Sequence, residues 1–178
     1  MSKNMILIVI AVIVGGGIVA AIAYYVVRFM RGTIKLSLPI TAFNPGDTIA
    51  GSFDLHTKKA IRGNKLIVSL IGTQVIKTYE DGKSRTRSNE IYRDEVLVEE
   101  AKAYNAGSAA TYNFEVSAPN MNSPEFLNSK VGQALTAAFQ LLSNRSTQLK
   151  WKVEARLDAK GVDLTSSKSV SINTKQLV

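Results

Sequence analysis

The sequence predicts a mainly β protein: an antiparallel β-sandwich with one inserted helix, preceded by a single transmembrane helix. Three observations predict it. A run from Ile6 to Val27 carries no charged side chain. Beyond it, apolar residues recur at every second position in short segments separated by turn residues. One later segment, from Ser123 to Ser143, switches to helical spacing. The chain therefore divides into residues 1–31, an anchor with a basic flank, and residues 32–175, the sandwich.

The apolar run comes first. Its roughly 22 residues cover about 33 Å as a helix, and the hydrocarbon core of a bilayer is about 30 Å thick. A soluble helix of that length would carry a polar stripe, and this one has none. Tyr24 and Tyr25 stand near its C-terminal end, where amphipathic rings favour the membrane interface. A cleavable signal peptide is the competing reading, because Lys3 supplies a positive start and Ala21, Ile22 and Ala23 have the small-x-small form of a cleavage site. The run, however, exceeds the usual apolar region of about 7–15 residues. It continues past that site and ends at Arg28 and Arg31, so a retained anchor is favoured.

Flanking charge sets the expected orientation. Lys3 and the terminal amine lie on one side, and Arg28, Arg31 and Lys35 on the other. The positive-inside bias then gives a single-pass protein of the cell membrane with its C-terminal domain in the cytoplasm. Gly16 with Ala20, and Gly17 with Ala21, give small-xxx-small spacings, and Gly15 extends the small surface. Such spacings permit homodimerisation or packing against another membrane protein, although small residues are common in membrane helices generally.

The strands follow. Ile34, Leu36 and Leu38 share one face of their segment, as do Ile49, Gly51, Phe53 and Leu55 of theirs. Leu66, Val68 and Leu70 alternate with Ile67, Ser69 and Ile71, which predicts a strand covered on both sides. Tyr112, Phe114 and Val116 alternate with polar residues. The cleanest case runs from Leu149 to Asp158: Leu149, Trp151, Val153, Ala155 and Leu157 face in, and Lys150, Lys152, Glu154, Arg156 and Asp158 face out. Asn44, Pro45, Gly46 and Asp47 fit a type II turn, and Glu80 to Lys83 a hairpin tip. In the inserted helix, Ser123 is the cap, Pro124 the first helical residue and Glu125 the acid of the first turn. Leu127, Val131, Ala134, Leu135, Ala138 and Leu142 then form a stripe widened by Phe126 and Phe139, which suits packing over one end of the sandwich.

Composition excludes several chemistries. There is no cysteine, so disulfides, thiolate catalysis and cysteine-bound zinc are absent. The single histidine, His56, ends a strand beside Lys58 and Lys59, where a solvated side chain is the simplest reading. No phosphate-binding glycine loop or nucleophile elbow occurs. Glu90, Asp94, Glu95, Glu99 and Glu100 read as a solvated strand edge, with Glu95 and Glu99 on one face about 13 Å apart, too far for a carboxylate pair. Asp158 and Asp163 flank a turn but offer too few oxygens for calcium. No catalytic residue, cofactor or metal is expected. The net charge of +8 suits an anionic lipid surface. The basic residues are dispersed and lack interleaved aromatics, so nucleic acid is not an expected partner and solvated loop charge accounts for most of them.

Four blocks together resemble the arrestin-like β-sandwich superfamily. They are Asn44 to Phe53, a Pro-Gly-acid turn before a strand with a glycine; Ile61 to Leu70, a core strand; Tyr112 to Pro119, a strand ending in proline; and Trp151 to Asp158 with Gly161, Val162 and Asp163. The last is most similar to bacterial sporulation-control and retromer arrestin-like proteins. The resemblance spans about Thr33 to Asn173 and implies one immunoglobulin-like (arrestin-type) domain, since two-domain members need roughly twice the length. The Ser123 to Ser143 helix departs from the pattern, where an extended segment is usual. The basic pair that arrestins carry early in the first strand is reduced to Lys35, so phosphoprotein sensing is not carried over.

What the resemblance implies is a non-enzymatic adaptor or scaffold that binds protein partners through strand edges and loops. An accessory or assembly subunit of a larger membrane complex is the alternative. An exported surface or filament subunit is a third reading, weakened because the pilin pattern of a glycine before the apolar run and a glutamate within it is missing.

Overall fold

The computed structural model describes the backbone of residues 3–80, 83–120, 123–140 and 147–173, with side chains in the first helix from Gly15 onward. The Ile6–Val14 half of the apolar run, the hairpin-tip residues Asp81 and Gly82, the side chains of Ala138 and Phe139, and Leu142, Ser143 and Arg145 lie outside the described residues. In chain order the elements are α1 (Lys3–Arg31), β1 (Gly32–Ser37), β2 (Ala42–Phe43), β3 (Thr48–Thr57), β4 (Ile61–Glu80) and β5 (Lys83–Glu99). Then come β6 (Lys102–Tyr104), β7 (Ala109–Ser117), α2 (Pro124–Asn128), α3 (Lys130–Gln140), β8 (Thr147–Ala159) and β9 (Leu164–Ile172).

Two sheets face each other. The smaller has the order β1-β3-β7, all antiparallel. The larger has the order β2-β9-β8-β4-β5, with β6 paired to the start of β4. Among the described strands, only the short β2–β9 pair is parallel. The inner faces carry the residues that alternation predicts. Ile34, Leu36, Ile49, Phe53, Leu55, Phe114 and Val116 on one sheet meet Leu66, Val68, Leu70, Trp151, Val153, Ala155 and Leu157 on the other, all buried. Each large side chain so buried contributes roughly 1.5–3 kcal/mol relative to exposure.

β4 is covered on both faces, as its two-sided apolar pattern implies. Ile67 and Ile71 point to the outer face yet are 3% and 2% exposed. Their register neighbours explain this: Arg93 and Lys152 flank Ile71, and Leu97 and Arg156 flank Ile67. Long charged side chains lay apolar stems over such residues and keep their heads in water. The turn at Asn44 also forms as expected. Gly46 takes φ of +84°, and the Asp47 N–H donates to the Asn44 carbonyl at 3.1 Å.

The inserted helix differs from its prediction. The Ser123 hydroxyl caps α2 by accepting from the Phe126 N–H at 3.4 Å, with Pro124 first in the helix. The segment then breaks at Ser129, whose backbone is extended (φ −74°, ψ 155°). The Ser129 hydroxyl donates to the Phe126 carbonyl at 2.6 Å and accepts from the Gly132 N–H at 2.9 Å. It thus closes one helix and caps the next, a competition with helical bonding at which serine excels. α3 buries Leu135 in the core, and Phe126 of α2 meets Tyr92 with ring centroids 6.5 Å apart. Leu127 and Val131 stay exposed, so the predicted apolar stripe is only partly used.

α1 leads into β1 without a linker, and its described side chains turn outward. Ile18, Val19, Ile22, Tyr25 and Phe29 are each more than half exposed. Among the described residues no helix is long and apolar enough to cross a membrane.

Candidate functional site

The most elaborated surface is the end of the sandwich where α1 arrives. Three segments distant in sequence converge there: the loop after β3, the turn between β8 and β9, and the start of β9. The last carbonyl of the helix, Arg31 O, accepts from the backbone N–H groups of Lys58 at 2.8 Å and Lys59 at 3.3 Å. Two otherwise unsatisfied loop donors thereby cap the helix C-terminus. Arg31 Nη1 donates to the Lys160 carbonyl at 2.9 Å. Arg28 Nη2 donates to the Thr165 hydroxyl at 2.6 Å and to the Thr165 carbonyl. Lys58 Nζ stands 3.3 Å from the centre of the Phe29 ring, a cation–π contact. A groove of about 240 Å³ remains between helix and sheet, lined by Tyr25, Arg28, Phe29, Ile34, Leu164 and Thr165 among others.

The junction depends on Gly32. A Cβ there would lie 2.4 Å from the His56 carbonyl oxygen and 3.0 Å from the Thr57 Cα. Only a residue without a side chain lets helix and sheet meet this closely. Thr57 holds the same end together. It is fully buried, its N–H donates to Ser108 O at 2.9 Å, and its hydroxyl donates to Asn105 O at 2.6 Å.

The residues singled out by sequence separate into groups. Arg28 and Arg31 sit together at the junction, where both are engaged in holding the sandwich to the helix. Lys35 is not with them. It lies on the exposed outer face of the smaller sheet, opposite Asp54. Gly15, Gly16, Gly17, Ala20 and Ala21 lie exposed on the helix, and nothing comes within 4 Å of a Cβ added at the three glycines. Sequence reasoning placed Lys160 only in the turn between Asp158 and Asp163, did not single out Thr165, and read Lys58 and Lys59 as solvated loop charge without linking them to the helix. No local signal marks these partners, because they meet only when β3, β8 and β9 are assembled.

A second charged surface covers the outer face of the larger sheet, but it neutralises itself. Lys65 pairs with Glu95 at 2.7 Å, Arg93 with Glu90 at 2.8 Å, Lys152 with Glu154 at 2.5 Å, and Arg156 with Asp163 at 2.8 Å. Exposed pairs like these contribute about 0–1 kcal/mol each. The Asp163 carboxylate, one of the two that flank the β8–β9 turn, is engaged by Arg156 and by the Ala159 N–H at 3.1 Å.

Glu95 and Glu99 do not share a face. A bulge shifts the register between Leu66–Glu99 and Ile67–Leu97. An extra residue reverses the phase of a strand, so Glu95 points outward to Lys65 while Glu99 sits beside the core. Glu99 accepts from the hydroxyls of Tyr104 at 2.7 Å and Tyr112 at 2.8 Å, and from Lys102 Nζ at 2.6 Å. Burial pushes the Glu99 carboxyl up, but the three donors outweigh it and hold its pKa below the ordinary value. Burial first, then the hydrogen bond each makes to Glu99, pushes both phenols up.

A carboxyl whose pKa is lowered by folding contributes stability above its unfolded pKa, near 4.3, and loses that contribution as pH falls through the folded value. Glu99→Gln is therefore expected to destabilise the protein near neutrality, and the gap between wild type and variant is expected to close on acidification below about pH 4. Urea melts across that range check it. A gap independent of pH would contradict the assignment.

No family model matches the chain, and no curated protein matches it. The two facing sheets, one with a parallel β2–β9 pair at its edge, form a β-sandwich. Among solved structures the chain is similar to Spo0M, a sporulation control protein from Bacillus subtilis, with a TM-score of 0.54 and 14% sequence identity. The match covers 81% of this chain and 50% of that one, so the chain spans about half the length of that protein. At this identity the likeness establishes the fold.

Proposed function

We propose that this chain is a membrane-tethered, non-enzymatic adaptor or scaffold that binds protein partners through its arrestin-like domain. The observation that carries the reading is the junction. An apolar helix with outward-facing side chains passes directly into a sandwich that is hydrogen-bonded to its last turn. A helix with this surface is stable in lipid and costly in water. The sandwich supports the adaptor half of the reading, because β7 is an edge of the smaller sheet and carries mostly small uncharged residues (Ala109, Ala110, Thr111, Asn113). Such an edge suits strand addition by a partner. The charge flanking the helix at Arg28 and Arg31 favours a cytoplasmic domain at the cell membrane.

Two measurements test it. Carbonate washing of membranes is expected to leave the chain in the pellet. Photo-crosslinkers at Thr111 and Asn113 are expected to capture a defined protein, while crosslinkers at Ser167 and Ser169 on the outer face of the larger sheet are not. Release by carbonate, or capture without preference for β7, would count against the proposal.

The exposed, unpartnered Gly15, Gly16, Gly17, Ala20 and Ala21 favour one further reading, a subunit of a larger membrane complex or a homo-oligomer assembled through the helix. Blue-native electrophoresis separates the two. Migration as a free monomer removes the second.

A further inference from the structure

The cations at the α1 end of the sandwich are distinct from the rest of the surface. Lys58, Lys59 and Lys160 are exposed, come from two separate loops, and surround the point where the helix leaves. None has a carboxylate partner among the described residues, whereas Lys65, Arg93, Lys102, Lys152 and Arg156 all do. Arg28 and Arg31, which flank the apolar run, are turned back onto Thr165 and Lys160. The free charge at this end therefore belongs to the sandwich.

Geometry then sets where that charge must lie. The apolar run ends at Val27, and the four residues to Arg31 rise about 6 Å. A bilayer is about 40–45 Å thick with its headgroups and about 30 Å without, which leaves a headgroup layer of about 5–8 Å on each side. β1 begins at the next residue, and the helix is capped by the loop that bears Lys58 and Lys59. With no linker to hold it away, this end of the domain reaches the headgroup layer whenever the helix spans the bilayer. Phe29, exposed beneath Lys58 Nζ, adds an apolar side chain at the same depth.

We propose that Lys58, Lys59 and Lys160 form a platform that binds the phosphate groups of anionic phospholipids in the leaflet where α1 ends, docking the sandwich against the membrane in one orientation. The inference rests on the reading of α1 as a membrane helix. It adds that the domain is a docked body whose β7 edge is presented to partners, rather than a freely swinging one.

The test uses the purified full-length chain, reconstituted without other proteins into vesicles of phosphatidylcholine or of phosphatidylcholine mixed with phosphatidylglycerol. Hydrogen exchange is followed in residues 58–62 and 160–163. Exchange is expected to be slower in the anionic vesicles. A nearby cation is worth roughly a five-fold change in association with an anionic surface, so the Lys58→Gln, Lys59→Gln, Lys160→Gln variant is expected to lose the difference between the two lipids. High salt is expected to weaken it in the wild type. A Lys35→Gln, Lys168→Gln variant is expected to keep it. Equal exchange in both lipids, or an unchanged lipid effect in the triple variant, overturns the platform while the tether stands. Release of the chain from the same vesicles by carbonate overturns the tether and the platform together.

Discussion

Phe53→Ala is expected to cost about 3–5 kcal/mol, the range for removing a large aromatic side chain from a packed core. Phe53 is 1% exposed and lies at the centre of the smaller sheet. Its ring stacks on Tyr112 at 5.3 Å and meets Phe114 at 6.2 Å, so truncation removes two aromatic contacts and leaves a cavity that strands on both sides cannot close. Natural domains have about 5–15 kcal/mol of stability in all. The variant is thus expected to lose a large part of its folding free energy, measured as a fall in urea midpoint with an unchanged slope. Tyr112 also donates to Glu99. Loosening its ring should therefore reduce the acid sensitivity assigned to Glu99 as well, which the same melts at two pH values would detect.

Gly32→Val is the second large effect expected. The added Cβ would fall 2.4 Å from the His56 carbonyl oxygen, a separation that real structures do not tolerate. The obstacle is backbone, so no side-chain rotation relieves it. Either β1 leaves its pairing with the end of β3, where Gly32 stands opposite Thr57, or the helix swings away from Lys58 and Lys59. Forcing extra volume into a packed site costs about 1–3 kcal/mol. The cost should concentrate locally, because the atoms nearest the added Cβ belong to the end of β3 (His56 and Thr57) and to Leu164 at the start of β9, all at this one end of the sandwich. Faster hydrogen exchange at the amides of Lys58 and Lys59, with protection kept in β4 and β8, is the expected result. Uniform loss of protection would mean that the junction is part of the global folding unit and not a separate hinge-free seat for the helix.

Much of the architecture was legible because alternation is a local property. Leu149 to Asp158 can bury one face only as a strand, and Trp151, Val153, Ala155 and Leu157 are indeed buried. The Asn44 turn and the Ser123 cap were legible for a similar reason, since each is satisfied within four residues. The inserted segment was half legible. Its apolar spacing continues through Ser129, and only the hydrogen bonds made by that hydroxyl reveal the break. Glu99 was misplaced because an assumed strict period of two does not foresee a bulge. One extra residue moved the carboxylate from the wet face to a site beside Tyr104 and Tyr112.

The sequence by itself determined that an uncharged apolar run precedes a β-sandwich, since run length and period-two burial need no knowledge of distant residues. Tertiary structure alone decided how the two are joined. Arg28 and Arg31 look like free flanking charges in the sequence, yet their partners Thr165 and Lys160 lie far along the chain. Lys58, Lys59 and Lys160 look like scattered surface lysines until the assembled strands bring their loops around the helix. The physical reason is the same in both cases. Local pattern sets which face a residue occupies, but the closure of the two sheets sets which loop ends meet, and the junction is built entirely from loop ends.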